Sequence, residues 1–271
     1  MRNNDVVPLL QDLRYEVIPT RTIEEKILSS IPREITVTIT ASPTKGLEPT
    51  FELAERLTAH RYRVVPHVSA RLVRDEIHLK EIVHRLVEIG VDDVFVPAGD
   101  AAAPAGKYDG ALAMLTDLTA LGRPFARIGI TGYPESHPAI DDDIVVQAMW
   151  DKRVHATYIV SNLCFAPRVL TNWLHRVRRR GVTLPVLLGL AGPVERTKLL
   201  TMATKIGVGD SARFLTKHSS WLVRLTAPGG YSPERLLART ADANEVAGLH
   251  VFTFNQVAET EQWRQRLLGQ G

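Results

Sequence analysis

The sequence predicts an α/β fold, a single (β/α)8 TIM barrel that forms one catalytic domain over residues 1–271. Three observations support this prediction. Eight short apolar runs rich in β-branched residues recur along the chain, amphipathic segments of helical spacing lie between them, and no break in composition divides the sequence. The chain length also suits one such barrel. An open doubly wound sheet is the alternative that the same alternation allows.

Each predicted strand is a short apolar run bounded by polar or turn-forming residues. Runs of this kind are typical of strands that are buried on both faces of a parallel sheet. The eight runs are RYEVIP (14–19), EITVTIT (34–40), RVVPHVS (63–69), DDVFVPAG (92–99), ARIGITG (126–132), ATYIVSN (156–162), LPVLLGL (184–190) and GLHVFTFN (248–255).

The segments between the strands have the spacing of helices. Over 74–90, apolar side chains return about every three to four residues and predict a helix with one buried face, for which Gly90 is the expected C-terminal cap. The residues of this face are Ile77, Ile82, Val83, Leu86 and Val87. Thr50 is the expected N-cap of the helix that follows it, and the aspartates at 141–143 complement the dipole of another helix. The stretch 209–246 is too long for one crossover, so we expect extra helices between strands 7 and 8.

Composition and charge limit the class of protein. Hydrophobic residues make up 45% of the chain and charged residues 23%, which is typical of a soluble globular protein. The single cysteine, Cys164, excludes an internal disulfide and fits a reducing, cytoplasmic compartment. No apolar run reaches the length of a membrane helix, about 18 residues, so no membrane partner is expected. The formal net charge is only +3, so no nucleic-acid partner is expected.

Several familiar motifs are absent or out of context. GVGDSA (207–212) has the letters of a dinucleotide fingerprint, but it follows a helix-like run instead of a strand. The sequence contains no P-loop, no zinc-binding cysteine cluster and no serine nucleophile elbow, so we expect no metal site. The basic run HRVRRRG (175–181) lies late in a predicted helix, where we expect it to be a solvated face.

The carboxyl ends of the strands are the places where a (β/α)8 barrel carries its reacting groups. Polar residues in these positions are therefore the candidates for a functional site. They are Glu16, Thr38, Thr40, His67, Ser69, Asp100, Tyr133, Glu135, His137, Ser161, Asn162 and Asn255.

Glu16 is the principal catalytic candidate because it lies inside an apolar strand. An ionised carboxylate is costly there unless it is paired, so burial favours the protonated form that a general acid needs. The alternative is a glutamate on the outer face, paired with a helix Arg or Lys. Asp100 either accepts hydrogen bonds from a ring N–H or caps the next turn. His67 is either a ligand-binding residue or a satisfied core histidine.

One segment matches a family pattern at six positions. GYPESHP (132–138) follows the predicted fifth strand, where the methylenetetrahydrofolate reductases have Tyr-Pro-Glu-x-His-Pro. The chain resembles this family over residues 14–268. Further segments resemble strands of the family in order: YEVIPTRT (15–22), EITVTIT (34–40), VPHVS (65–69), VPAGD (96–100) and LHVFTFNQ (249–256).

The resemblance implies an NAD(P)H-dependent oxidoreductase that reduces 5,10-methylenetetrahydrofolate to 5-methyltetrahydrofolate, a step of one-carbon metabolism that serves methionine biosynthesis. Glu16 stands in the place of the family's proton donor, which opens the folate's imidazolidine ring to a 5-iminium ion that accepts hydride. Asp100 stands where the family holds the pterin ring and stabilises its cationic form. Asn162 stands where the family has a Gln that contacts the substrate.

The resemblance also bears on the cofactor. Most members bind FAD, which relays hydride from a nicotinamide. Here Ala98 replaces the Arg before Gly-Asp in the fourth strand, and Ile39 and Thr40 replace a Tyr-Gly pair in the second. The flavin therefore loses a cation, and we expect bulkier side chains to line its approach. These departures make FAD doubtful, so we expect NADH or NADPH to transfer hydride directly to the folate. The residues expected to hold the nucleotide are Thr38, His67, Tyr133, His137 and Lys152.

Three alternatives stay open on the sequence alone. The first is an FAD-dependent, two-step version of the same reaction. The second is a flavin-dependent oxidoreductase of the related proline dehydrogenase type, against which the motif at 132–138 argues. The third is a non-catalytic barrel that binds folate or a nucleotide, against which the acid at position 16 argues, because a binder does not need a buried acid there.

Overall fold

The computed structural model describes residues 6–137, 140–164, 166–193, 232–240 and 246–269. All eight predicted strands are present within these residues, and each is shorter than the run that predicts it. They are β1 (Arg14–Val17), β2 (Thr36–Ile39), β3 (Val64–Pro66), β4 (Asp93–Phe95), β5 (Arg127–Gly132), β6 (Tyr158–Ser161), β7 (Val186–Ala191) and β8 (Gly248–Phe252).

Helices connect successive strands, as the apolar spacing predicts. A short helix also precedes the first strand, and a 3-10 turn at Ala70–Leu72 follows β3. The α-helices are α1 (Val7–Gln11), α2 (Ile23–Ser30), α3 (Glu48–Ala59), α4 (Glu76–Glu88), α5 (Ala111–Ala120), α6 (Asp142–Lys152), α7 (Pro167–Arg179), α8 (Pro233–Thr240) and α9 (Val257–Leu268). None of these described helices is long and apolar enough to cross a membrane.

The strands form one parallel sheet in the order β3-β2-β1-β8-β7-β6-β5-β4. The two end strands meet at a parallel bridge between His67 and Phe95. Beside this bridge, the backbone N–H of Val68 donates to the carbonyl oxygen of Phe95 at 2.8 Å. The sheet is therefore closed into a (β/α)8 barrel, which confirms the predicted fold class and excludes the open doubly wound sheet.

Successive strand residues face opposite sides of the sheet, so one apolar cluster packs on each side of it. Tyr15 and Val17 of β1 and Val37 and Ile39 of β2 belong to the large cluster between the sheet and the helices. A smaller cluster fills the interior and takes its members from four strands. They are Val65, Phe95, Tyr158, Val160 and Leu187.

A buried ionic group lies below the interior cluster, towards the amino-terminal ends of the strands. Arg14 Nη2 donates to Asp93 Oδ2 at 2.9 Å, and Tyr158 donates its hydroxyl to Asp93 Oδ1 at 2.7 Å. Arg127 Nε lies 3.2 Å from the same carboxylate. Each buried charge thus has a hydrogen-bonded partner, as burial requires. Since Arg14 faces the interior, Glu16, two residues later on β1, faces it as well.

Two local expectations are wrong. Thr50 lies inside α3 and does not cap it, because its hydroxyl donates to the carbonyl oxygen of Thr40 at 2.8 Å. On α4, Ile77 and Val87 are 69% and 47% exposed, so they do not belong to the buried stripe. The residues that α4 buries are Leu79, Ile82 and Leu86.

Other helix-end predictions are confirmed. Gly90, with a φ of 79°, follows α4, and Asp142 and Asp143 lie in the first turn of α6. The basic run at the end of α7 is partly neutralised by that helix: Arg176 lies 2.9 Å from Asp142, and Arg180 lies 3.5 Å from Asp143. These pairs fit the predicted solvated face.

The predicted insertion between strands 7 and 8 is described only in part. Helix α8 lies within the stretch 209–246. The remainder of the predicted extra helices, and the GVGDSA segment at 207–212, lie outside the described residues.

The barrel interior depends on glycine at position 129. A Cβ atom at Gly129 would lie 2.5 Å from the Tyr158 ring, whereas one at Gly110 would meet no atom within 4 Å. We expect Gly129→Ala to lower the free energy of unfolding by about 1–3 kcal/mol, the usual cost of overpacking. Gly110→Ala is the control and should change it by less than about 0.5 kcal/mol. Urea unfolding curves measure both, and equal stability of the two variants would contradict the packing argument.

Candidate active site

Glu16 lies at the carboxyl end of β1 and points into the mouth of the barrel. Its side chain is 15% exposed, so it reaches solvent only through the mouth. Oε2 lies 2.9 Å from His250 Nε2 and 3.7 Å from His67 Nε2. The second oxygen, Oε1, has no hydrogen-bond donor among the described residues, so it is available to a ligand. The prediction of an inward-facing Glu16 is confirmed over the alternative of an outer-face glutamate.

His250 is the partner that sequence reasoning missed. It lies on β8, next to β1 in the sheet, and is 1% exposed. Its Nε2 is hydrogen-bonded to Glu16 Oε2, and its Nδ1 has no partner among the described residues. The available signal was a polar residue inside the apolar run LHVF, the same signal that drew attention to Glu16.

His67 and Thr38 complete this group. Thr38 pairs with Glu16 in the parallel register, and the His67 ring packs on Phe95 at 4.7 Å between centroids. Burial lowers the pKa of His67 to about 4, so the ring is neutral near pH 7. Among the described residues, neither His67 Nε2 nor Thr38 Oγ1 has a hydrogen-bond partner. Buried polar atoms are nearly always paired, so these two atoms suit a polar ligand in the mouth.

The end of β1 is held rigidly by the chain that follows β8. Thr253 donates its hydroxyl to the carbonyl oxygen of Glu16 at 2.6 Å. The Asn255 side chain accepts from the N–H of Ile18 and donates to its carbonyl oxygen, both at 2.8 Å. Asn255 therefore continues the backbone pairing of the sheet and fixes the position of Glu16 without itself entering the mouth.

A second group of predicted residues follows β4 and β5. The Tyr133 ring meets the His137 ring edge-on at 4.9 Å between centroids. Burial raises the pKa of the Tyr133 hydroxyl, and the negative charge of Asp100 acts in the same direction. Asp100 itself is exposed at the rim. The structure thus brings together Asp100, Tyr133 and His137, from two adjacent strand ends.

Of the two candidate residues at the end of β6, one has a structural role and the other lies at the rim of the barrel. Ser161 is buried, and its hydroxyl accepts from the N–H of Gly189 at 2.8 Å, which is a structural contact between strands. Asn162 is exposed, and its Oδ1 accepts from the N–H of Leu163 at 2.8 Å. Asn162 therefore lies at the rim with its amide oxygen held by the local turn.

Two residues do not lie where the sequence places them. Lys152 ends α6, shortly before β6 begins, so it lies towards the amino-terminal ends of the strands and away from Glu16. Burial lowers the pKa of Lys152 to about 8. Ile39 is fully buried between the sheet and the helices, so it does not narrow the approach to the mouth. The expectation that it does is wrong, because the strand alternation turns Ile39 outward.

Within the part of the chain that the structure describes, no group of three or more His, Cys, Asp or Glu side chains could hold a metal ion.

Comparison with known families identifies the chain. The family model described as "Methylenetetrahydrofolate reductase" matches residues 21–210, which is more than half of the chain. The protein belongs to the methylenetetrahydrofolate reductase family. The predicted resemblance to this family is thereby confirmed, and membership supports an oxidoreductase function of the methylenetetrahydrofolate reductase type.

Similar solved structures of other proteins show the fold alone. A Burkholderia cenocepacia J2315 protein described as a lyase or mutase has a TM-score of 0.53 at 12% identity, over 98% of this chain and 84% of that chain. A protein of the same organism described as a phosphonomutase has a TM-score of 0.52 at 10% identity, over the full length of both chains. Both likenesses support the barrel architecture of this reductase-family chain and say nothing of its substrate.

The buried neutral His67 makes the stability of this reductase-family protein depend on pH. Its pKa is about 4 when folded, against about 6.5 for an unperturbed histidine. The folded state therefore binds fewer protons between these values, so the contribution to stability is complete above pH 6.5 and is lost as the pH falls towards 4. For a full shift this loss is about 3 kcal/mol.

We expect His67→Gln to lose less stability than the wild-type protein between pH 7 and pH 4.5, as measured by urea unfolding. His84→Gln is the matched control, because the His84 side chain is 74% exposed on α4. A His67 variant with the same pH dependence as the control would show that His67 is not held neutral by burial.

Proposed function

We propose that this protein reduces 5,10-methylenetetrahydrofolate to 5-methyltetrahydrofolate, with NADH or NADPH as the hydride donor and without a bound flavin. The single observation that carries the proposal is the Glu16–His250 pair in the mouth of a barrel of this family. A partly buried acid with one oxygen held and the other available is the group that opening of the folate ring requires.

Glu16 is the proposed general acid. His250 holds Oε2, so Oε1 is the oxygen that faces a ligand. In its protonated state, Glu16 gives its proton to N10 of the folate as the bond from N10 to the methylene carbon breaks. The product is the 5-iminium ion, whose carbon then accepts hydride. Glu16 regains its proton from solvent, which its 15% exposed side chain reaches through the mouth.

Asp100 and Asn162 are the proposed substrate ligands at the rim. Asp100 is exposed after β4, and a carboxylate there can accept hydrogen bonds from the pterin ring and stabilise its positive charge. Asn162 offers an amide after β6, two strands along the sheet from β4. Tyr133 and His137 lie beside Asp100 and provide aromatic faces for either the pterin or the nicotinamide.

The proposed direct transfer of hydride rests on the side chains after β2 and β4. Ala98 is exposed at the end of β4 and offers no cation to a flavin pyrophosphate, and Thr40 is half-buried at the end of β2. These residues do not fit the phosphate contacts that the family's Arg supplies. A nicotinamide that lies in the mouth with the folate can give its hydride to the iminium carbon in one step.

Substitution of Glu16 tests the acid role. We expect Glu16→Gln to lower kcat for folate-dependent NADH oxidation at least about a hundredfold, the usual contribution of a general acid. Folate binding should change little, because the amide keeps the size of the carboxyl group and can still pair with His250. The control is Glu88→Gln, whose side chain is 65% exposed on α4. Near-normal turnover of the Glu16 variant would remove this residue from the mechanism.

An absorption spectrum of the purified protein tests the hydride route. We expect no flavin bands, followed by NADH or NADPH oxidation only when methylenetetrahydrofolate is added to the same sample. Flavin at about one per chain would support the two-step version of the reaction instead. A colourless protein that stays inactive with both nicotinamides and with added FAD would favour a barrel that binds folate without chemistry.

A further inference from the structure

The long loop between β4 and α5, residues 96–110, carries Asp100 and is held by one arginine from the neighbouring strand end. Arg71 lies in the 3-10 turn after β3. Its Nε donates to the carbonyl oxygen of Ala101 at 2.9 Å, and Nη2 donates to that of Ala102 at 3.1 Å. Nη1 donates to both the carbonyl oxygen and Oδ1 of Asp109, at 3.0 and 2.8 Å.

The backbone of the same arginine adds two contacts. The N–H of Arg71 donates to the carbonyl oxygen of Ala98 at 2.9 Å, and its own carbonyl oxygen accepts from the N–H of Ala105 at 2.8 Å. Arg71 thus contacts the loop on both sides of Asp100 and again near the end of the loop. A connection of this length without regular structure needs such contacts to hold one conformation.

The second half of the loop has anchors of its own. The N–H of Lys107 donates to the carbonyl oxygen of Arg74 at 2.6 Å, and the buried Tyr108 donates its hydroxyl to Asp117 at 2.8 Å. The segment around Ala101 and Ala102 depends on the guanidinium for its side-chain contacts. Loss of that group should therefore affect the residues next to Asp100 more than those near Tyr108.

We propose that Arg71 is a positioning residue, which fixes the loop 96–110 so that Asp100 faces the substrate. This inference rests on the proposed role of Asp100 in folate binding. Arg71 does not touch the substrate itself. Three of its hydrogen bonds go to backbone carbonyl oxygens of the loop. A planar guanidinium can donate to all three at once, whereas an ammonium group lacks this fork of donors.

A rival interpretation is that Arg71 binds a nucleotide phosphate at the rim. A guanidinium has five N–H donors, and the loop contacts of Arg71 already account for four hydrogen bonds. The side chain is 21% exposed, so most of it is covered. These contacts leave little of the group for a phosphate.

The test compares Arg71→Gln and Arg71→Lys with the control Arg74→Gln. Arg74 has the same charge and is exposed three residues away, and the loop contacts its backbone carbonyl, not its side chain. Amide hydrogen exchange is measured over 99–105, with helix α5 (Ala111–Ala120) as the internal reference, because Arg71 itself contacts Asp109. Steady-state kinetics give KM for the folate and for NADH separately.

We expect both Arg71 variants to exchange at least about tenfold faster over 99–105 than the wild-type protein, since local opening sets these rates. The folate kcat/KM should fall at least about tenfold, because misplaced substrate contacts are costly, while KM for NADH stays within about twofold. Arg71→Lys should recover only part of the loss, because an ammonium lacks the fork. Arg74→Gln should resemble the wild-type protein.

Two outcomes would overturn the proposal. Unchanged exchange over 99–105 in Arg71→Gln would show that the loop does not depend on the arginine. A rise in KM for NADH with an unchanged KM for the folate would favour the phosphate interpretation. If the wild-type protein reduces no folate at all, the proposed function fails, while the exchange measurement still decides whether Arg71 holds the loop.

Discussion

The ion pair between Arg14 and Asp93 is the contact on which the orientation of the site depends. It spans the barrel interior from β1 to β4 at 2.9 Å and is completed by Tyr158 and Arg127. Because it fixes Arg14 inward, the two-residue alternation of β1 also turns Glu16 inward, one layer nearer the mouth. A slip of one residue in β1 would move both charges into the apolar layer under the helices. The buried charges thus specify one register of the strand.

Polarity changes along the barrel axis. The ionic group lies near the amino-terminal ends of the strands, the apolar cluster of Val65, Phe95 and Leu187 lies above it, and Glu16 with its two histidines lies at the mouth. The apolar layer separates the two charged groups and lowers the local dielectric beneath Glu16. A hydrogen bond is electrostatically stronger in such surroundings than in water, so the contact between Glu16 and His250 helps to hold the carboxyl group in place.

The mouth combines rigid and adjustable parts. Glu16 and the histidines lie on strands, and the contacts from Thr253 and Asn255 hold the end of β1. The rim groups around Asp100 and Tyr133 lie on loops, whose conformation depends on side-chain contacts. Proton transfer tolerates little error in distance, whereas recognition of a large ring system can be shared among several contacts. This division places the proton donor on the strands and the substrate contacts on the loops.

The sequence by itself determined the strands, most of the helices and the inward candidate Glu16, because these follow from local periodicity and from the cost of a carboxylate in an apolar run. The motif at 132–138 also identified the family without coordinates. Tertiary structure alone decided that His250 pairs with Glu16 and that Ile39 faces the helices. It also decided that Lys152 lies at the end of α6 away from the barrel mouth, and that the Thr50 hydroxyl bonds to the backbone of Thr40. Each of these depends on residues distant in the chain or on the phase of a strand or helix, which composition and spacing leave undetermined.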